Sequence, residues 1–498
     1  MTQPRTPRTH SRTAAPRTAP RSAQATTPFE RPRKTAPAPA AESSRPAPRK
    51  IAKAAAPAGF PPAAPRKPAF PAPQPEPMKF GARISRRASE RLRAGHLWVY
   101  STEIEALGLP KKGETPALLP VADNRGLLLG TALYSPTSQI ALRMIAREEI
   151  GEAQWLQLLA VRLRAAIARR QPMLAASAGN TTDALRLCFS EADDIPGLIV
   201  DKYAGLVIVQ ILAKGLDSTA VRAVCVQVLR EELSPAAIVE RPDPRIRELE
   251  GLSAPNLDPL FLADPAAPAS ATAFQINGLR FHFDANSGQK TGAFLDQRLN
   301  YAAAHDWAVR LGTTGRALDV CTYQGGFALH LAQVCREVTG IDSSRASLEV
   351  AEKNEEANRA LLQAKVDWVE ADAFEILRGW SDAREKFDTI VLDPPAFAKT
   401  QRAVEGALRG YKELNLRALR MLTPGGLLLT CSCSQHVSWT DLEATVAAAA
   451  LDAGRRVRLL ERRGAASDHP VVLNLPETEY LKCLVLQADQ EQGLGNRE

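Results

Sequence analysis

The sequence predicts an α/β protein whose carboxy-terminal half is a doubly wound, Rossmann-like parallel sheet, and three observations carry that prediction. From Phe274 onward, short apolar runs with strand character alternate with helical patterns. The first three of those runs each end in an acid, Asp319, Asp342 and Asp372. Ahead of them stand a β-rich stretch, a smaller α+β stretch and a tail with almost nothing to bury.

The tail comes first in the chain. Residues 1–78 hold 14 Lys and Arg against 3 Asp and Glu, and 19 of the 37 prolines, in runs such as "APRKPAFPAPQPEP". Such composition predicts disorder. The remainder carries 49 basic against 52 acidic residues, so the whole basic excess of the chain, +8, lies in the tail. A flexible cationic arm for nucleic acid and a plain solvated extension are both open readings of it.

Residues 79–150 read as a small β-rich module. "ALLPVADNRGLLLGTALYSP" places two apolar runs around the turn Asp123–Gly126, a hairpin signature, and "SQIALRMIA" reads as a further strand. Residues 151–272 read as a central α+β module that begins with the helical pattern "EAQWLQLLAVRLRAAIARRQ". The stretch "ELEGLSAPNLDPLFLADPAAPASATAF" carries turn formers without a period, and a loop is expected there. Residues 273–498 form the doubly wound domain, with strands "RALDVC", "EVTGID", "VDWVEAD", "FDTIVLD" and "GLLLTCSCS".

In such a sheet the ligand sits beyond the carboxyl ends of the strands. Asp342, 23 residues after Asp319, is placed for ribose hydroxyls, with Ser343 beside it. The loop "TYQGG", containing Tyr323, Gly325 and Gly326, allows close backbone approach but lacks the G-x-G-x-x-G that a pyrophosphate needs. A nucleoside without phosphates suits it better. S-adenosylmethionine is such a ligand: Asp319 and the Gly325–Gly326 turn would meet its amino acid moiety, Asp342 its ribose, and Asp372 with Ala373 its adenine. "SGQKTG" at 287–292 lacks the glycine that a phosphate loop requires, so no triphosphate site is expected.

The fourth strand ends in "LDPPAFAKT". Proline after Asp393 keeps that residue out of helical geometry, and Pro394–Pro395 stiffens the turn that presents its carboxylate. With Phe397 close behind, the turn suits an extruded base: a carboxyl for a ring edge and a ring to stack on it. Cys433 ends the neighbouring strand, where a thiolate could attack carbon 6 of a pyrimidine and so activate carbon 5. A metal is not expected, because Cys431, Cys433 and His436 supply too few ligands. Seven cysteines without a paired framework, and no apolar leader in residues 1–30, lead to the expectation of a reducing, cytoplasmic setting and of no disulfide. No window approaches the roughly 18 apolar residues that span a bilayer, so no membrane association is expected.

With these residues in view, the chain resembles the bacterial family of PUA-domain-containing 23S rRNA 5-methylcytidine methyltransferases. The likeness runs over about residues 80–490 through "RLRAGHLWVYSTEI", "FSEADDIPGLIVDKYAG", "GQKTGAFLDQR", "DVCTYQGGF", "LDPPAFAK", "RGYKELN", "TCSCS" and "SDHP". It implies a PUA-like RNA-binding module, a class I methyltransferase domain using S-adenosylmethionine, and 23S rRNA as partner. Cys433 matches the family's nucleophile and Asp393 its motif acid, while Gln297 and Arg298 fall in the segment that covers the cofactor. Oligomeric state is left open, with a homodimer as the candidate assembly. Two other readings stand beside this one: a base N-methyltransferase with Cys433 structural, and a non-catalytic RNA-binding ribosome assembly factor.

If the basic tail contributes phosphate contacts, deleting residues 1–78 will leave turnover intact and flatten the dependence of RNA affinity on salt. Titrations of RNA binding at several salt concentrations check this, and an unchanged slope leaves the tail without that role.

Overall fold

The computed structural model describes residues 80–109, 115–174, 182–252, 258–265, 270–284, 292–398 and 400–489. The tail 1–78 and residues 287–291 of "SGQKTG" lie outside the described residues, as does Lys399 of "LDPPAFAKT".

The first sheet is built from β1 (Gly81–Ile84), β2 (Trp98–Tyr100), β3 (Ile104–Gly108), β4 (Leu118–Ala122), β5 (Leu128–Tyr134) and β6 (Ile140–Ala146), with α1 (Arg86–Arg93) after β1. Its order is β2-β6-β5-β4-β1-β3. The expected hairpin is β4–β5. Asp123 makes its turn: Oδ1 accepts the backbone N–H groups of Arg125 and Leu127, both at 2.9 Å. Leu92 of α1 packs with Val121, Ala132, Leu142 and Met144 from the strands, so one apolar face closes the core.

A second sheet, ordered β11-β10-β9-β8-β7, comprises β7 (Ala184–Phe189), β8 (Leu198–Tyr203), β9 (Leu206–Ile211), β10 (Ala237–Glu240) and β11 (Phe261–Leu262). It is covered by α2 (Glu152–Leu174) and α3 (Thr219–Leu233). Trp155, Leu159, Leu163 and Ile167, spaced four apart along α2, are buried against it. The expected loop after residue 247 needs correction. It holds the end of α4 (Pro244–Glu250), stopped by Gly251 at a left-handed φ of 62°, then β11, whose two residues pair antiparallel with β10, and at 271–274 the start of the next strand. Two residues are too few to show a period, and their pairing is set by β10.

β12 (Ala271–Ile276) and β13 (Leu279–Asp284) then form a separate hairpin around Asn277–Gly278, both at positive φ. That dipeptide is a strong hairpin signal in the sequence.

The third sheet contains β14 (Arg316–Val320), β15 (Glu337–Asp342), β16 (Val366–Glu370), β17 (Phe387–Leu392), β18 (Leu422–Ser432), β19 (Val457–Arg463) and β20 (Lys482–Ala488). Helices α5 (Arg298–Leu311), α6 (Gly326–Ala332), α7 (Arg345–Ala357), α8 (Ala373–Asp382), α9 (Val404–Met421) and α10 (Trp439–Asp452) connect and cover them. The order is β16-β15-β14-β17-β18-β20-β19, and it reverses direction between β14 and β17. The first five strands are parallel, but β20 runs antiparallel to both β18 and β19. The all-parallel expectation thus fails at this edge. The segment between β19 and β20 contains no α-helix to lay across the sheet as a crossover, and β20 inserts between β18 and β19 in the antiparallel sense.

One fully buried carboxylate joins the second and third sheets. Asp468 Oδ2 accepts the backbone N–H of Arg186 at 2.8 Å, and its Oδ1 lies 3.2 Å from Arg298 Nη2. Arg170, itself buried, donates to the Asp468 carbonyl at 2.8 Å and to Asp193 at 2.7 Å. Burial works to raise the Asp468 pKa, but His469 and Arg298 overcome it and hold the carboxyl well below the usual range. Removing one partner from such a pair leaves a buried charge uncompensated. Asp468→Ala should therefore cost about 3–5 kcal/mol in urea unfolding, and a loss under about 1 kcal/mol would contradict this role.

Candidate active site

The site grows from the pairing of β17 with β18. Their parallel register sets Leu392 opposite Thr430, so the residues just beyond each strand emerge side by side. Asp393-Pro394-Pro395 leaves β17 there, and Cys433 leaves β18. Cys433 Sγ lies 3.9 Å from the Pro394 carbonyl oxygen, bringing together residues 39 apart in sequence.

Tyr411 on α9 braces both turns. Its hydroxyl is 3.0 Å from Ser434 Oγ and accepts from Ser432 Oγ at 2.9 Å, while Ser434 Oγ also accepts the Ala398 N–H at 3.1 Å. The Phe397 ring rests on Tyr411 at 4.8 Å and near Phe374 at 5.9 Å. Lys482 supports the cysteine turn from β20, donating to the carbonyls of Ser434 (3.2 Å) and Tyr480 (3.0 Å). Burial lowers its pKa, while Glu479 and Cys433 pull it back up.

The two cysteines part company here. Cys431 is fully buried opposite Cys483 of β20, and that contact together with burial pushes its thiol pKa well up. Cys433 is only half-buried and faces a cavity.

This cavity, of about 390 Å³, lies beyond the carboxyl ends of the strands at the β14/β17 reversal. Gln297, Tyr323, Gly326, Asp342, Ser343, Asp372 and Ala373 line it, together with Asp393, Pro394, Pro395, Phe397 and Cys433. Asp342 accepts the N–H groups of Tyr323 (Oδ2) and Ser344 (Oδ1), each at 2.9 Å, which orients the carboxylate at the end of β15. Asp372 caps α8, its Oδ1 accepting from Phe374 and Glu375. Tyr323 takes a left-handed φ of 53° and Gly325 one of 87°. Gly326 has a steric reason as well: a Cβ there would stand 2.4 Å from Tyr301 Cζ.

Three expected residues stand elsewhere. Asp319 lies beneath the cavity rather than on its wall, accepting from Thr322 Oγ1 at 2.5 Å and Ala328 N at 2.9 Å. It tethers the loop that approaches the ligand. Gly325 is the positive-φ cap of α6. Arg298 is buried and turned to Asp468, while its carbonyl accepts from Asn277 Nδ2 at 2.8 Å.

The sequence reading missed Phe274, Phe281, Phe294, Asp296 and Tyr301, all on the cavity wall. The Tyr323 hydroxyl donates to the Gly292 carbonyl at 2.9 Å, and its ring meets Phe294 edge-on at 4.9 Å. These contacts fold the segment from Gly292 to Gln297 over the cofactor side.

The residues fit a nucleoside with an amino acid arm. The glycine turn admits close backbone approach, with Gly326 leaving space that a Cβ would take, and Asp342 presents its carboxylate to the cavity. Among those residues no group of three or more His, Cys, Asp or Glu side chains could hold a metal ion, and no helix is long and apolar enough to cross a membrane.

Fold and crevice together define a class I S-adenosylmethionine-dependent methyltransferase. Residues 261–472 match the family described as S-adenosylmethionine-dependent methyltransferase, and residues 82–147 match the PUA-like domain. The chain is 34% identical to "Ribosomal RNA large subunit methyltransferase I" of Citrobacter koseri, over 80% of this chain and 97% of that one. It is 36% identical to the protein of the same name from Pseudoalteromonas translucida, over 79% and 96%. The chain belongs to this ribosomal RNA large subunit methyltransferase I family. Among solved structures, SMU.776, described as a methyltransferase and complexed with SAH, shares the fold with a TM-score of 0.66 at 18% identity, covering 82% of this chain and 99% of that one.

Burial raises the Asp319 pKa to about 7, against hydrogen bonds from Thr322 and Ala328 that lower it. Its folded value thus exceeds the unfolded one, so its stabilising effect is complete below about pH 4 and is lost as pH rises through about 7. Thermal unfolding from pH 4 to 8 should show the wild type losing stability relative to Asp319→Asn up to about pH 7. A pH-independent difference would contradict the assignment.

Proposed function

We propose that this chain forms 5-methylcytidine in 23S rRNA, in the cytoplasm, through a covalent adduct at Cys433. One observation carries the reading: the Cys433 thiol and the Asp393-Pro394-Pro395 turn stand at one end of the cofactor crevice, with the half-buried Phe397 ring beside them. The PUA-like segment and the names of the relatives support RNA as substrate. The seven cysteines, all free thiols, are compatible with a reducing compartment.

In this reading a cytosine leaves its stack and enters between Phe397 and the Cys433 turn. The Cys433 thiolate adds to carbon 6, forming a carbon–sulfur bond and breaking the 5,6 double bond, whose electron pair moves to carbon 5. Asp393, carrying or sharing a proton, hydrogen-bonds ring nitrogen 3 and stabilises the charge that the attack sends into the ring. Bound S-adenosylmethionine would supply the electrophilic methyl group that carbon 5 accepts, its S–CH3 bond breaking to leave the neutral thioether S-adenosylhomocysteine. Loss of the carbon 5 proton to a base then restores the double bond and expels the Cys433 thiolate. Asp342, Asp372, Tyr323 and the Gly326 backbone would hold the cofactor, with Gly325 shaping the turn, and Gln297 would close that side. Tyr411 and Lys482 keep the Cys433 turn in place.

A suicide substrate tests the covalent step, because fluorine at carbon 5 cannot leave as a proton does. Wild-type protein incubated with S-adenosylmethionine and 23S rRNA containing 5-fluorocytidine should give a denaturation-resistant protein–RNA adduct, and Cys433→Ala should give none. Methylation of ordinary RNA that survives Cys433→Ala would remove the nucleophile from the account.

A further inference from the structure

A second cavity of about 390 Å³ opens beside the first. The two share a wall made by Ala293, Phe294 and Asp296, and Gln435 at its edge lies two residues beyond Cys433. Two sheets and a turn leading into the third contribute to it: Trp98 comes from β2, Phe189 from β7, and Tyr480 from the turn before β20. Its volume lies within the range of roughly 300–1,000 Å³ that small ligands occupy.

Its lining has a definite chemistry. Trp98, Phe189, Phe294 and Tyr480 are half-buried around an open space. Phe189 anchors the aromatic cluster, 6.1 Å from Tyr480 and 5.3 Å from His469. Arg186 lies 5.4 Å from the Phe189 ring centroid, but its guanidinium is spent on Asp201 through bonds of 2.8 and 2.9 Å. The acids Glu191, Asp243, Asp296 and Glu477 line the same space. Aromatic faces among acids, with the arginine already neutralised, are hostile to a phosphate. They suit a flat, neutral ring that carries N–H donors on its edge.

We propose that this cavity receives the base of the nucleotide next to the methylated cytidine, and that it favours a base with an exocyclic amino group over uracil. The inference rests on the RNA methyltransferase reading. Continuity with the catalytic cavity carries it: with one base against Cys433, the next along the same strand meets Gln435 and the shared wall. Phe189 supplies the stacking surface, and the carboxylates, each already bonded on one side to Trp98, Ile246, Tyr480 or His96, accept from the amino edge with their remaining lone pairs. Loss of one such stacking surface lowers affinity by roughly tenfold.

Steady-state kinetics of the full chain on 23S rRNA test this, with S-adenosylmethionine affinity measured in parallel. Phe189→Ala should raise KM for RNA about tenfold, leave cofactor affinity within about twofold, and be rescued by Phe189→Trp. Ile246→Trp, which fills the cavity from the half-buried face of α4, should raise KM in the same way and covers the case in which Phe189→Ala does not fold. Placing uridine at the neighbouring position should raise KM in the wild type and have little further effect in Phe189→Ala. An unchanged KM in folded Phe189→Ala or in Ile246→Trp overturns the proposal, as does a KM that rises only together with lost cofactor affinity. A wild type that methylates rRNA while these variants match it sinks the cavity assignment alone, whereas a wild type that methylates no rRNA removes the parent reading and this one with it.

Discussion

The parallel pairing of β17 with β18 is the constraint on which the proposed chemistry depends. A shift of one residue would turn the side chains of Cys431 and Cys433 together to the opposite face of the sheet, because side chains alternate along a strand. The register is held by burial on both faces. Ile390, Val391 and Leu392 stand against Leu428, Leu429 and Thr430, and all of them are buried. What looks in sequence like one pair of cysteines is therefore two residues with separate fates. Cys431 lies in the core against Cys483, and Cys433 stands beyond the last strand residue at the cavity.

Around that register the fold spends buried polar groups on position. Tyr411 ties the cysteine turn to the proline turn through Ser432 and Ser434. Asp319 holds the loop that would meet the cofactor, and Asp468 fixes Arg298 and the edge of the second sheet. Each of these groups is costly to bury unless its partners are present, so each penalises alternative arrangements as well as stabilising this one. The cofactor crevice and the second cavity beside it are thus linked by shared residues, Phe294 and Asp296 above all.

Much of this was legible in the sequence. Strand–helix alternation exposed the third sheet, and Asp342, Asp372, Asp393 and Cys433 each stand at the end of a strand or within two residues of it. What escaped has common physical causes. β11 has two residues and no period of its own, and nothing in the apolar run "KCLVLQA" marks β20 as antiparallel. Phe274, Phe281 and Tyr301 look like ordinary core residues in sequence, and only tertiary packing brings their rings to the cavity. Asp319 and Arg298 sit in segments that do approach the ligand, but their side chains turn to Thr322 and Asp468. Sequence position gives the neighbourhood of a side chain, and its hydrogen-bond partners decide its direction. Asn277–Gly278 is different, since that turn carried a plain local signal.

The central claim is that the base held between Phe397 and Cys433 is a cytosine, methylated on carbon. Identification of the product tests it most directly. Unmodified 23S rRNA is treated with the purified chain and isotopically labelled S-adenosylmethionine, then digested to nucleosides and resolved by mass spectrometry. The account predicts label in 5-methylcytidine. Label in an N-methylated guanosine or adenosine, with none in 5-methylcytidine, would contradict it.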